Sequence, residues 1–200
     1  MTSTRRKRGE YAKTPKTREA ILASAFEVFS RGGYVNSSMS EIARGAGLTV
    51  PGMTNHFPTK AGLLEAVLQE RDANAAALLA DRTGVGLLSG LLDIVARDEA
   101  DANITQLFAI VSAEATMSDH PTHDYFVARY ELVLANIERG LREAADAGHL
   151  RDGVDPAGAA QCVVALFGGL QLQRLYAVGK HTESTLIRGY LQSLLTVPLG

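Results

Sequence analysis

The chain has 200 residues, 46% of them apolar, with a formal net charge of −2 and a single cysteine, Cys162. These values exclude a disordered chain and an intrachain disulfide, and the length suits one domain or a small domain joined to a larger one. No apolar run approaches the roughly 18 residues a membrane span needs, and the basic, polar N-terminus is unlike a secretory signal, which predicts a cytoplasmic protein with no membrane partner. The near-neutral total conceals an asymmetry. Residues 1–60 hold ten Lys and Arg against four acids, a net of +6, whereas the remaining 140 hold ten against eighteen, a net of −8. A positive end on an acidic body predicts that one end meets a polyanion and the other avoids it.

Residues 1–15 have little apolar content and read as a flexible basic arm. Arg5, Arg6, Lys7 and Arg8 suit it to lie along phosphates, to enter a minor groove or only to add nonspecific attraction, and the sequence leaves these open. The first helix is predicted over Lys16–Arg31, where Ile21, Leu22, Ala25, Val28 and Phe29 recur at helical spacing before Gly32-Gly33. The stretch SSMSEIARGAGLTVPGMTNHFPTK, from Ser37 to Lys60, then reads as two short helices around a tight turn. Ser38 stands three residues before Glu41, a capping-box signature; Gly47 supplies a left-handed turn residue. Thr49 is a candidate cap for the next helix, and Pro51 is tolerated in its first turn. Such a unit is a helix-turn-helix, presenting the helix from Val50 to His56 to a DNA major groove.

Beyond Lys60 a long helix is predicted over Ala61–Ala80. Gly84, Gly86 and Gly90 are expected to break the next stretch and leave a shorter helix over Leu87–Ala96. Asn103–Met117 is apolar on most sides, as a buried helix would be. Asp119-His120-Pro121 reads as a turn, followed by helices over Thr122–Ala147, from Asp155-Pro156 to Val178, and over Glu183–Thr196. No strand pattern occurs, so the fold is predicted all-α. Glycine inside a helix costs about 1 kcal/mol relative to alanine, so the Gly168-Gly169 pair predicts close approach of another helix. Leu166, Leu170, Leu186, Tyr190, Leu191 and Leu194 on the last two helices are the candidate interface residues, with internal core packing as the competing reading. Cys162 lies in the same apolar stretch and is read as a packed thiol.

The motif series Ala25-x-x-x-Phe29, Gly33-Tyr34, Glu41-Ile42-Ala43, Gly47-Leu48 and His56-Phe57-Pro58-x-Lys60 resembles the DNA-binding domain of the TetR family of bacterial transcriptional regulators. The resemblance covers about Thr17 to Val67. It implies a three-helix helix-turn-helix domain over 16–60 and a larger helical regulatory domain over 61–200, for ligand binding and dimerisation. It further implies a homodimer paired through the two final helices, bound to a palindromic double-stranded DNA operator and released by a small-molecule effector. Lys60 would contact a backbone phosphate, as would Ser38 and Thr49 at their helix N-termini. Base contacts would come from Val50, Pro51, Thr54 and Asn55, with His56 open between base and phosphate. Thr54 departs from the family pattern, which frequently has a phosphate-contacting tyrosine there. Phe108, Met117, Tyr125, Tyr130, Phe167 and Gln171 are the candidate ligand contacts, each with core packing as its alternative.

Other chemistry is set aside on the residues. His120 and His123 flank a turn with no third His or Cys nearby in sequence, and the adjacent acids are explained by capping, so no metal site is expected. No phosphate loop, nucleophile elbow or zinc motif occurs, so no catalytic residue and no cofactor is assigned. The expected function is a ligand-responsive repressor. A ligand-dependent activator of the same fold stays open, and an all-helical enzyme or a nonspecific architectural protein would leave, respectively, the basic module or the large acidic body unexplained.

Overall fold

The computed structural model describes residues 15–200; the basic arm expected over residues 1–15, its arginines included, lies outside them except for Pro15, which opens the first helix. Among the described residues nine α-helices follow one another: α1 (Pro15–Gly32), α2 (Met39–Gly45), α3 (Val50–Thr54), α4 (Lys60–Leu79), α5 (Gly84–Ala100), α6 (Ala102–Glu114), α7 (His123–Asp146), α8 (Pro156–Leu175) and α9 (Glu183–Leu194). The all-α expectation stands, with an N-terminal helix-turn-helix followed by a larger helical part.

Two apolar cores hold these helices. In the first, α1 contributes Ile21, Ala25 and Phe29, α2 gives Ile42, α3 gives Met53, and α4 gives Leu63 and Leu64. Leu107, Phe108 and Val111 of α6 and Phe126 of α7 belong to the same core, so the basic N-terminal helices rest directly on the body. The second core joins α5, α7, α8 and α9 through Leu87, Leu88, Ile137, Leu141, Val163, Ile187 and Leu191.

Helix α5 corrects the sequence reading. Its 17 residues run straight through Gly86 and Gly90, where a break was expected. The propensity cost of a helical glycine is small against the burial of Leu87, Leu88, Leu92 and Val95 along one face. Gly90 is itself buried beneath Arg82, whose guanidinium would lie 2.8 Å from a Cβ placed there. On the facing helix, a Cβ on Gly140 would stand 3.0 Å from Leu87 Cδ2, so this glycine sets how closely α7 approaches α5.

Candidate nucleic-acid interface and cavity

The helix-turn-helix is built by its caps. Ser38, in extended conformation, accepts the Glu41 amide on its Oγ at 3.2 Å, and Thr49 accepts the Gly52 amide on Oγ1 at 3.2 Å. Each satisfies a helix-end donor that has no partner within its own helix. Between them Gly47 takes φ +69, Leu48 N–H reaches back to Ala43 O at 2.8 Å and Gly47 N–H to Arg44 O at 3.1 Å. That pair of bonds is the Schellman closure, which requires a left-handed residue at the turn. Met53 and Phe57 anchor α3 from below. Ser38, Thr49, Val50, Pro51 and Asn55 are left exposed, with Thr54 and His56 half-buried. Thr54 Oγ1 donates to Pro51 O at 3.2 Å, turning its hydroxyl onto its own helix.

Lys60 is half-buried. Its ammonium donates to the carbonyls of Tyr34 at 2.6 Å and Ser37 at 2.9 Å, and stands 4.2 Å from the Tyr34 ring centroid. The α1–α2 loop leaves those carbonyls without helical partners, and a half-buried ammonium satisfies them. Lys60 is therefore first a brace between that loop and the start of α4. Two other cations were passed over. Arg44 is exposed on α2, and exposed Arg18 holds its guanidinium 5.2 Å from the Phe57 ring centroid, beside the end of α3. The positive balance of residues 1–60 was their only trace in the sequence.

A carboxylate from the body grips the same loop. Glu114, at the end of α6, accepts the backbone N–H of Tyr34 at 2.7 Å and of Val35 at 3.2 Å. Gly33, at φ +66, makes room: a Cβ there would lie 2.5 Å from Glu114 Oε1 and 2.7 Å from Ile110 Cγ2. His120 packs edge-on against Tyr34, with ring centroids 5.1 Å apart. The two histidines turn to their own surroundings: Thr122 N–H donates to His120 Nδ1 at 3.3 Å, and His123 Nδ1 donates to Ala115 O at 2.8 Å.

Between α4, α5, α6, α7 and α8 lies a cavity of about 390 Å³. Its walls are mostly apolar, with Ile94, Phe108, Phe126, Ile137, Val163 and Phe167 among them, and Gln171 adds an amide. One corner is charged. Asp72 accepts the Tyr125 hydroxyl and Arg129 Nη1, and lies 3.4 Å from Arg71 Nη1. Arg71 also pairs with Asp98, whose side chain is 1% exposed and which Arg97 meets at 3.4 Å. Burial, reinforced by the bond to Asp72, pushes the Tyr125 hydroxyl well above its ordinary range and keeps it a neutral donor.

A family model for bacterial regulatory proteins of the tetR family matches residues 21–67, which take in the greater part of α1, all of α2 and α3 and the first turns of α4. Over this span the chain carries a TetR-type domain. Its TetR-type helix-turn-helix is a DNA-binding unit, and the chain is a transcriptional regulator. The HTH-type transcriptional regulator SrpR of Pseudomonas putida is 27% identical over 170 residues, 82% of this chain and 76% of that protein. Among solved structures, Salmonella enterica GusR superposes with a TM-score of 0.73 at 24% identity, over 92% of this chain and 98% of that one. SmeT, the repressor of the Stenotrophomonas maltophilia multidrug efflux pump SmeDEF, has a TM-score of 0.70 at 22% identity, over 92% and 95%. A SmeT–triclosan complex gives 0.74 at 22%, over 92% and 94%. At these identities the three structures speak for the fold.

Within the helical body, Phe108, Tyr130, Phe167 and Gln171 of the expected ligand contacts line the cavity. Met117 does not: it sits in the turn after α6 and is 65% exposed. Tyr125 stands behind the wall, its hydroxyl spent on Asp72 and its ring packed edge-on against Phe126. Arg71, Asp72 and Arg129 were missed, because charges at helical spacing read as a solvated face until the crossing of α4 and α7 is known. The interface residues also divide. Leu170 and Leu191 are 8% and 0% exposed within the chain's own second core, so they are internal packing residues. Leu186 is exposed, and Leu166, Tyr190 and Leu194 are half-buried. Cys162, read as packed, is exposed, one helical turn before Ala165 on the outer face of α8.

Proposed function

We propose that this regulator is a ligand-responsive repressor that binds a palindromic operator in the cytoplasm as a homodimer. Residues 16–60 read DNA, and residues 61–200 sense the ligand and dimerise. The observation that carries the reading is the double role of α4. Its first residue, Lys60, braces the reader loop, while Arg71 and Asp72, three turns on, form the charged corner of the cavity. A molecule in the cavity touches the helix that carries the reader, and one that favours a different tilt of α4 changes the reader's placement. Triclosan in the SmeT complex supports a small molecule as effector.

On the DNA, Ser38, Thr49 and the remaining N–H of Lys60 grip phosphates, with Val50, Pro51, Thr54 and Asn55 facing base edges and His56 beside them. The dimer forms on the outer face of α8 and α9. Exposed Cys162, Ala165, Gly169, Leu172 and Tyr176 recur there at helical spacing, beside Leu186 and Gly189. A Cβ on exposed Gly169 would meet nothing within 4 Å, so this glycine leaves an unfilled strip for a second copy. Two-fold pairing sets two readers on half-sites about one DNA turn apart, roughly 34–36 Å.

The test is selection of bound sequences from random DNA, with sedimentation of the same protein. Inverted repeats and a dimer are expected. Gly169→Arg, which meets open space in the single chain, is expected to give folded monomers with operator affinity lost. Asn55→Ala is expected to relax preference at one base pair per half-site with the salt slope of binding unchanged. A parent chain that sediments as a monomer, or selected sites without repeats, overturns the reading.

A further inference from the structure

The cavity has one polar corner, and its chemistry is lopsided. Of its lining residues three are charged, Arg71, Asp72 and Arg129, so two guanidinium groups share one carboxylate there. Asp98, the next acid, lies behind Arg71 and pairs with it directly and with Arg97 at 3.4 Å, so across the whole cluster three guanidinium groups meet two carboxylates. Donor capacity is also left over. Arg71 has a side chain only 10% exposed, yet its Nε is buried without a hydrogen-bond partner. Such a donor is costly to leave unmade and is rare in a settled core. Arg129 gives Nη1 to Asp72, one of its five donors. Both guanidinium carbons stand 4.6 Å from the Phe108 ring centroid, so one ring holds both groups at this corner.

Resting on the reading of this cavity as the effector site, we infer that the effector is an amphipathic carboxylate. Its apolar body fills the space among Ile94, Ile137, Val163 and Phe167, and its carboxylate sits in the corner made by Arg71 and Arg129. The surplus of one positive charge in the wall matches one negative charge on the ligand, and the fork geometry of arginine matches the two oxygens of a carboxylate. The orphaned Arg71 Nε gains an acceptor. A lipophilic cation is disfavoured because the charged corner repels it, and the aromatic ring at that corner, Phe108, already carries two cations. A neutral ligand of the same shape fills the apolar space but leaves the surplus charge and the buried donor as they were. The carboxylate competes with Asp72 for both arginines, and so acts on the cross-link between α4 and α7.

Three probes with one tail and different heads separate these cases: decanoate, decanol and decyltrimethylammonium, titrated calorimetrically into the full chain below their aggregation concentrations. Decanoate is expected to bind roughly tenfold or more tighter than decanol, and the cation more weakly than either. Arg129→Gln is expected to reduce decanoate to the affinity of decanol while leaving decanol unchanged. Should that variant melt prematurely, Arg129→Lys keeps the charge beside Asp72 and is expected to lose several-fold in decanoate affinity. Val164→Trp, which fills the cavity, is expected to abolish binding of all three. Decanol or the cation binding as tightly as decanoate overturns the carboxylate assignment and leaves the cavity as effector site standing. An unchanged decanoate preference in both Arg129 variants overturns it too. Binding of none of the three, or binding that survives Val164→Trp, removes the effector-site reading itself.

Discussion

Beneath the reader, Ile21, Ala25, Phe29, Ile42, Met53, Leu63 and Leu64 are each 0% exposed, and the buried hydroxyl of Ser30 is spent on the Phe26 carbonyl at 2.7 Å. Around the cavity, Leu91, Val133 and Phe167 are only half-buried, Tyr130 and Leu172 are about half exposed, and the Nε atoms of Arg71 and Arg97 have no partner. Both regions draw on the same aliphatic residues. The difference is that one is filled and satisfied, as a part that must hold a fixed shape against DNA is, and the other keeps volume and unspent donors. A close-packed interior transmits displacement, whereas a cavity absorbs it until something fills it.

Large-to-small substitution is the strongest way to break that contrast. Phe29→Ala is expected to cost about 3–5 kcal/mol, the toll of a new cavity in a filled core, while Val133→Ala, on a wall already open, is expected to cost about 1 kcal/mol. Denaturant melts of the two variants decide it, and equal losses would mean the two regions are packed alike. Next in size is the joint. Glu114→Ala removes the acceptor of the Tyr34 and Val35 amides and is expected to destabilise by about 1–3 kcal/mol. Unchanged stability in that variant would show the reader rests on the body by apolar contact alone.

The smallest effect sharpens the contrast through pH. The reader's caps, Ser38 and Thr49, are neutral hydroxyls. In the body, Glu143 accepts the Gly84 amide at 2.6 Å at the start of α5, and that bond, with Arg139 adding to it, holds its carboxyl below the ordinary value of 4.5. A lowered folded-state value means the stabilisation is complete above the unfolded value and is lost as pH falls through the folded one. Glu143→Gln is therefore expected to melt slightly below the parent at pH 7, and the gap is expected to close as the pH drops below about 4.5. A gap that persists in acid would assign the difference to shape and not to charge.

The reader was legible because its signals are local. Ser38, Gly47 and Thr49 each act within four residues and do what their spacing predicts, although the capping box is half closed: Ser38 accepts the Glu41 amide, while the Glu41 carboxylate lies 3.6 Å from Arg31 Nη2. What escaped acts across the chain. The Glu114 grip spans 80 residues, and the Arg71–Asp98 pair joins two helices whose crossing no periodicity encodes. Helix α9 shows the same limit within one element. Leu186, Leu191 and Leu194 are all apolar, yet Leu191 is wholly buried and Leu186 faces out. An apolar helix clothed on one side by its own chain and bare on the other carries one pattern for both. The glycines of α5 misled for the converse reason, since a local cost was outweighed by contacts the local window does not contain.

The first core has a practical consequence for anyone who would transplant this reader onto another sensor. A cut after Lys60, or even after Leu79, severs α1 from Leu107, Phe108 and Val111, which complete its packing, and from Glu114, which holds its loop. The graft would expose Phe29 and its neighbours to water and free the turn that Gly33 shapes. The portable module is discontinuous: α1 through α4 together with α6. Recombination between relatives would then be expected to preserve their pairing and vary the helices beyond it.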